Sequence, residues 1–399
     1  MGLNYTALDK PEIDNKVAEL ADRIMGNVIL HLKPESLILI GSFAKGEATI
    51  LLEDGNLKFL SDFELVVVSS RYLVKSALGQ VERLTTALSQ ESNLEVGISG
   101  INLSLCSMFP PLFKTLGPTI TNYDLKYGSR TIHGKNYLEK VPDFKPSDIP
   151  LWEGIRLLFN RMSAALKHFL GNNKQTSESI FHIYKVVLAC QDALLLSTGN
   201  YHPSYAIRNR MLQEVFSEHF SELNIELPRF LPLTISATDY KLKGRSNLPD
   251  LDSLWFDVAE ICNGILKYII KKDMDIEFSD YLEFQEKYLQ KSELNSHTQA
   301  SLSSPLYQNS VSFVKMLMSS RGSISRRALR KMWSPWSRMV YSVIPLAYFS
   351  LSADSNVKEA YLERASEVLS CFGKLKEQYD HEKPEPIAEE LYRLIYYCC

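Results

Sequence analysis

Apolar residues recur at steps of three and four from Ile13 through Val17, Leu20, Ile24 and Val28 to Leu32, the spacing of a single helix face. Asp9 and Pro11 mark the start of this helix and Pro34 its end. Leu37 to Ile40 is then a continuous apolar run of strand length, and it stops on Gly41-Ser42. ILLEDGNLKFL, from Ile50, sets Asp54-Gly55 between two apolar arms, the pattern of a β-hairpin. Phe59 to Val68 continues as a strand, Tyr72 to Leu88 reads as a helix, and Leu94 to Leu103 as a further strand. From Asn122 the pattern gives a helix, a stop at Gly128, a short strand and a loop. This order predicts an α+β unit, a small mixed β-sheet with flanking helices.

FKPSDIP, from Phe144, carries two prolines and no periodicity, and reads as a linker. Beyond it the pattern is helical, beginning with LWEGIRLLFNRMSAALKHFL and SIFHIYKVVLACQDALLL. A polar stretch from Lys291 to Ser310 divides this helical region. The expected organisation is therefore an α+β domain over 1–145, an all-helical domain over 146–290, a polar loop over 291–310 and a second helical region over 311–399. No internal repeat is present.

Composition narrows the class only a little. The 399 residues are 45% hydrophobic and 23% charged, which are globular values. A formal net charge of −3 excludes a whole-chain attraction to nucleic acid or to an anionic membrane. The six cysteines form no C-x-x-C pair and stand beside no histidine at zinc-ligand spacing. Isolated thiols suit a reducing compartment, and a cytoplasmic location is expected. No apolar leader opens the chain. The longest apolar run, MVYSVIPLAYFSL from Met339, is too short for a membrane span and contains Pro345. Gly2 with Thr6, and the terminal Cys398-Cys399, resemble short lipidation signals and are read as chance matches.

The chemistry lies in LSDFELVVV. Side chains alternate along a strand, so Asp62 and Glu64 share one face while Phe63 and Leu65 take the other. Two carboxylates two residues apart repel each other unless a cation lies between them, and oxygen ligands at that separation suit Mg²⁺. The competing reading is a solvated acidic edge. Upstream, a strand that ends on Gly41-Ser42 exposes backbone N–H groups and a hydroxyl. Gly41 has no side chain to keep a phosphate away. Lys45 adds a cation, and Gly46 permits the turn.

Together GSFAKGE and SDFELVVV resemble the signature of the nucleotidyltransferase superfamily, a Gly-Ser turn followed by an acid-hydrophobic-acid strand. YDLKYGSRTIHG is similar to the end of the catalytic domain in its minimal-nucleotidyltransferase members. The resemblance covers roughly residues 12 to 145. It implies a nucleotidyltransferase palm in which an NTP gives its nucleoside monophosphate to a hydroxyl or phosphate acceptor and releases pyrophosphate. Two Mg²⁺ ions, or Mn²⁺ in their place, would serve the transfer. Gly41, Ser42 and Lys45 would then bind the donor phosphates, and Asp62 and Glu64 the metal. Glu95, in LEVGI, stands where a third metal-binding acid activates the acceptor. The chain departs from the commoner pattern in having Glu rather than Asp as second acid, and in the 19 residues between Ser42 and Asp62.

Three further readings stay open. A non-catalytic nucleotide-binding regulator, antitoxin-like, could use the same fold. Arg161 and His168 are seven residues apart on one helical face and resemble the arginine-histidine signature of HEPN ribonucleases; a surface basic pair is the plainer account. His182 and His202 have no spaced partners and read as structural. Finally, Leu294 to Ala353 contains no Asp or Glu but holds Lys315, Arg321, Arg326, Arg327, Arg330, Lys331 and Arg338, with Trp333 and Trp336 among them. Arg326, Arg327 and Arg330 suit contact with an anionic acceptor such as nucleic acid, a sugar phosphate or a protein surface, against a solvated basic face as the alternative.

Overall fold

The computed structural model describes residues 4–53, 55–69, 75–102, 117–171, 176–220, 223, 227–244, 249–291, 336–352, 354–370 and 383–398. The protein is a mixed α+β chain, mostly helical, and its described residues form a small four-stranded mixed sheet and a separate two-stranded one. It divides into two compact units. The first comprises 1–149, 199–214 and 235–247, and the second the remainder. The division therefore falls at Ile149 rather than 145, and the first unit takes up two later segments that pattern alone assigned to a separate helical domain. Arg326, Arg327 and Arg330, with most of the acid-free interval, lie outside the described residues.

In the first unit the helix Pro11–Leu32 carries Pro11 in its first turn and buries Ile13, Val17, Ile24, Val28 and Leu32, the face that the spacing predicts. Strand β1 is Ser36–Ile40, and a five-residue helical turn, Gly41–Lys45, follows it directly. β2 (Ile50–Glu53) and β3 (Asn56–Phe59) form the expected hairpin as a separate two-stranded sheet. β4 (Phe63–Ser69) starts a new strand instead of continuing β3. The helix Lys75–Ser92 then leads to β5 (Val96–Asn102), which lies parallel to β4, the crossover that parallel strands need. The helix Ile120–Tyr127 ends at Gly128 and precedes β6, Arg130–Gly134.

The main sheet has the order β5-β4-β1-β6, with β1 antiparallel to both β4 and β6. One face packs Leu37, Leu39, Phe63, Leu65, Val67 and Val96 against the first helix and Phe43. The other packs Ile38, Val66 and Val68 with Tyr137. Glu64 alternates with Phe63 and Leu65 and so stands on this second face.

The elements of the second unit among the described residues are helices. Leu151–Leu170 packs along Ser177–Ser197, with Leu251–Met274 against the latter. Among the described residues Ser177–Ser197 is the one helix long and apolar enough to cross a membrane, yet 89% of its apolar window is buried in the protein, which makes it a core helix. The apolar run around Pro345 is the helix Trp336–Phe349, with Val340, Val343 and Leu346 buried. Cys190 and Cys262 are buried free thiols, as isolated cysteines in apolar segments predict.

Candidate functional site

Everything in the candidate site converges on the Gly41-Ser42 turn. β1 pairs with β4 so that Ile40 lies opposite Glu64. The next residue, Gly41, has a φ of +70° and carries the Glu64 carboxylate against its backbone; a Cβ there would run into Glu64 Oε2. On the other side of β4, Glu64 lies opposite Gly97 of β5. The position for a Cβ at Gly97 is 3.8 Å from Glu64 Cγ. Glycines thus lie on either side of one half-buried glutamate, Gly41 just after β1 and Gly97 within β5.

Asp62 immediately precedes β4 and is exposed. The Phe63 N–H donates to the carbonyl of Glu95 at 2.8 Å, and Phe63 pairs with Val96 in parallel register. Val96 is buried in the core face, so Glu95 stands on the opposite face, beside Asp62 and on the same side as Glu64. The three sequence-predicted acids therefore stand toward one sheet face, Glu64 within β4 and Asp62 and Glu95 just before β4 and β5. Their ligand atoms do not converge within 4.8 Å of one another; among the described residues, only His168, Glu178 and His182 form such a trio. By chemistry the acids fit a hard, oxygen-preferring ion: carboxylates only, next to glycines.

Ser42 has a different neighbour. Lys241, 2% exposed, sends its ammonium to Ser42 Oγ at 2.9 Å, to Thr49 Oγ1 at 3.0 Å, to Ser61 Oγ at 2.9 Å and to the carbonyl of Glu47 at 3.3 Å. Three hydroxyls and a carbonyl are thus among the contacts of the ammonium. Nearby, Tyr205 is ringed by cations: Arg208 at 4.1 Å from its centroid, Lys241 at 5.4 Å and Lys45 at 5.6 Å. Two carboxylates belong to this group. Glu47 accepts from Ser204 Oγ at 2.6 Å and from the Tyr205 N–H at 3.1 Å, fixing the start of the helix Tyr205–His219. Asp124 binds Lys45 at 2.9 Å and accepts from the Tyr201 hydroxyl at 3.1 Å.

Lys45 is therefore held by Asp124 instead of standing clear as a phosphate ligand. Burial alone would lower its pKa, but Asp124 and Tyr205 outweigh burial and raise it, so Lys45 remains a cation. Pattern reading missed Lys241, Arg208, Tyr205, Glu47 and Asp124. Lys241 sits in the last turn of the helix Leu227–Lys243, where a lysine ordinarily caps carbonyls in solvent. Nothing local marks it as buried.

Chemically, two consecutive residues separate two kinds of charge. Gly41 faces a carboxylate, and Ser42 a buried ammonium with further cations behind it. Such a turn can hold an anion on one side and a metal ion on the other. Comparison of the chain with family models, with curated proteins and with solved structures finds no match to any of them.

Proposed function

We propose that the protein is a Mg²⁺-dependent nucleotidyltransferase, with residues 1–149 and the segments carrying Tyr205 and Lys241 acting as its catalytic palm. The observation that carries this reading is the Gly41-Ser42 turn, with Glu64 packed on Gly41 and Lys241 bonded to Ser42. The Ser42 hydroxyl and the Lys241 ammonium hold the phosphate tail of an NTP, and the cationic group around Tyr205 attracts its charge. Asp62 and Glu64, joined by Glu95, would hold Mg²⁺. Metal bound there supplies charge neutralisation at the transferred phosphate and at the departing pyrophosphate. Glu95, exposed immediately before β5, takes the proton from the acceptor hydroxyl. The acceptor is a hydroxylated or anionic molecule, and the reaction belongs to the cytoplasm.

The second reading, a nucleotide-binding regulator without turnover, draws on one observation: the Lys45–Asp124 pair, which commits a predicted phosphate ligand to a structural contact. Pyrophosphate release separates the two. With all four NTPs, Mg²⁺ and a panel of protein, RNA and small hydroxylated acceptors, the wild-type chain releases pyrophosphate. Asp62→Asn and Glu64→Gln each lose at least the roughly 100-fold that disturbance of a metal site costs, while melting temperature and circular dichroism stay at wild-type values. Full activity in both variants removes the assignment of the acids. NTP binding without release under any condition favours the regulator.

A further inference from the structure

Within the second unit, a polar cluster sits where the helices Leu151–Leu170 and Ser177–Ser197 pack together. Glu178 and His182 are four residues apart and face the same way from one helix. His168 comes from the last turn of the other. The ligand atoms of all three lie within 4.8 Å of one another, with His168 Nδ1 at 3.6 Å from Glu178 Oε1. The two imidazoles stack, centroids 3.8 Å apart and planes 5° from parallel. His182 Nδ1 is buried and has no hydrogen-bond partner, a costly state for a ring nitrogen in a folded interior. The helix ends are pinned: Thr176 caps the second helix through the Ser179 N–H, and Ser179 Oγ donates to the carbonyl of His168 at 3.0 Å.

We propose that His168, Glu178 and His182 form a binding site for a divalent transition ion of the zinc class, with solvent as the fourth ligand. Two imidazoles and one carboxylate are a donor set for such ions. The surroundings select against the hard ions. Arg161, Lys167 and Lys185 lie close enough to act on the His182 imidazole, and Lys167 itself is 3.5 Å from Glu389 and lies over the Tyr392 ring at 4.1 Å. Mg²⁺ and Ca²⁺ bind through several oxygens and net negative charge, which one carboxylate among these cations does not provide. Imidazole nitrogen is a preferred donor for Zn²⁺ and its neighbours and not for Mg²⁺ or Ca²⁺. Burial, then Lys185, His168, Arg161 and Lys167, hold the His182 pKa well below the ordinary histidine value. Burial also lowers His168, against the opposite pull of Glu178.

Binding demands one movement. An ion lies in the plane of each imidazole that holds it, and two parallel planes share no point. One ring must tilt, and the donor atoms must close to about 3.3 Å, the separation set by tetrahedral bonds of about 2.0–2.1 Å. His168, with 21% of its side chain exposed, is the ring with room to turn.

Calorimetric titration of the full chain with ZnCl₂ in chelator-free buffer tests the site. The expected result is one equivalent bound with a Kd of about 10 µM or tighter, and a melting temperature raised by the ion. Glu178→Gln and His168→Gln each weaken binding by about tenfold or more and keep the metal-free melting temperature. Glu178 is half exposed, so its replacement does not threaten the fold. Co²⁺ taken up in place of Zn²⁺ gives visible absorption without a thiolate charge-transfer band, because no cysteine is a ligand. The proposal is overturned by no binding up to about 100 µM, by unchanged affinity in both variants, or by a thiolate band.

Discussion

At the scale of single residues, Gly41 and Lys241 carry the candidate site, and each makes a separate demand. Gly41 combines a φ of +70° with the Glu64 carboxylate at the place of a Cβ. Alanine there meets both a left-handed backbone penalty and a side-chain collision. Gly41→Ala is expected to lower stability by about 1–3 kcal/mol, read by urea denaturation, and to remove transfer because Glu64 must move. Lys241 is buried and donates to the hydroxyls of Ser42, Thr49 and Ser61. Lys241→Met removes the charge and leaves the Ser42, Thr49 and Ser61 hydroxyls one donor short. Triphosphate affinity should fall about tenfold or more, the value of one charge-assisted hydrogen bond. Nucleoside monophosphate affinity, measured beside it, should change little. Equal loss for both ligands would place the lysine away from the phosphate tail.

Among the elements, the helix pair of the second unit shows how closely two backbones approach. Gly154 of Leu151–Leu170 faces Ala193 of Ser177–Ser197; a Cβ added to it would lie 3.0 Å from Ala193 Cα and 3.2 Å from Leu196 Cδ1. Ala193 Cα is backbone of a packed helix and cannot swing aside as the Leu196 side-chain tip can. Gly154→Val should therefore destabilise the protein by about 1–3 kcal/mol through overpacking, while Gly154→Ala costs less. Chemical denaturation of both variants checks the order. The same close packing sets His168 against His182. A hairpin of helices with bulkier residues at the contact would hold those rings apart.

For the whole molecule, the decisive fact is that the first unit is discontinuous. Residues 199–214 bring Tyr201, Tyr205 and Arg208, and 235–247 bring Lys241. A chain cut after Ile149 retains the sheet, Asp62, Glu64 and Glu95 but loses the partners of Glu47, Ser42, Thr49 and Asp124. Such a truncated chain is expected to bury these polar groups unsatisfied or to expose them, and so to lose its cooperative melt and its NTP binding together. Circular dichroism melts and calorimetry on the full and truncated chains measure this. A truncated chain that melts sharply and binds NTP would show that the later segments are dispensable.

Local pattern along the chain already decided most of the described helices and strands, though it ran the end of β3 into β4. The helix ending at Leu32, the strand into Gly41, the hairpin around Gly55 and the shared face of Asp62 and Glu64 all follow from period 3.6, period 2 and turn chemistry. These are interactions between residues a few positions apart, so neighbouring residues carry the signal. Strand register is different. It placed Glu95 beside Asp62 and aligned Glu64 between Gly41 and Gly97, contacts that depend on which strands adjoin. Furthest from local reading are the Lys241 ammonium at Ser42, 199 positions away, and the pairing of His182 with His168. A lysine near a helix end and a histidine in an apolar helix look alike wherever they occur. Only packing in three dimensions strips the water from one and brings a second imidazole to the other. With that water removed, a solvated side chain becomes a buried charge or an unpartnered nitrogen.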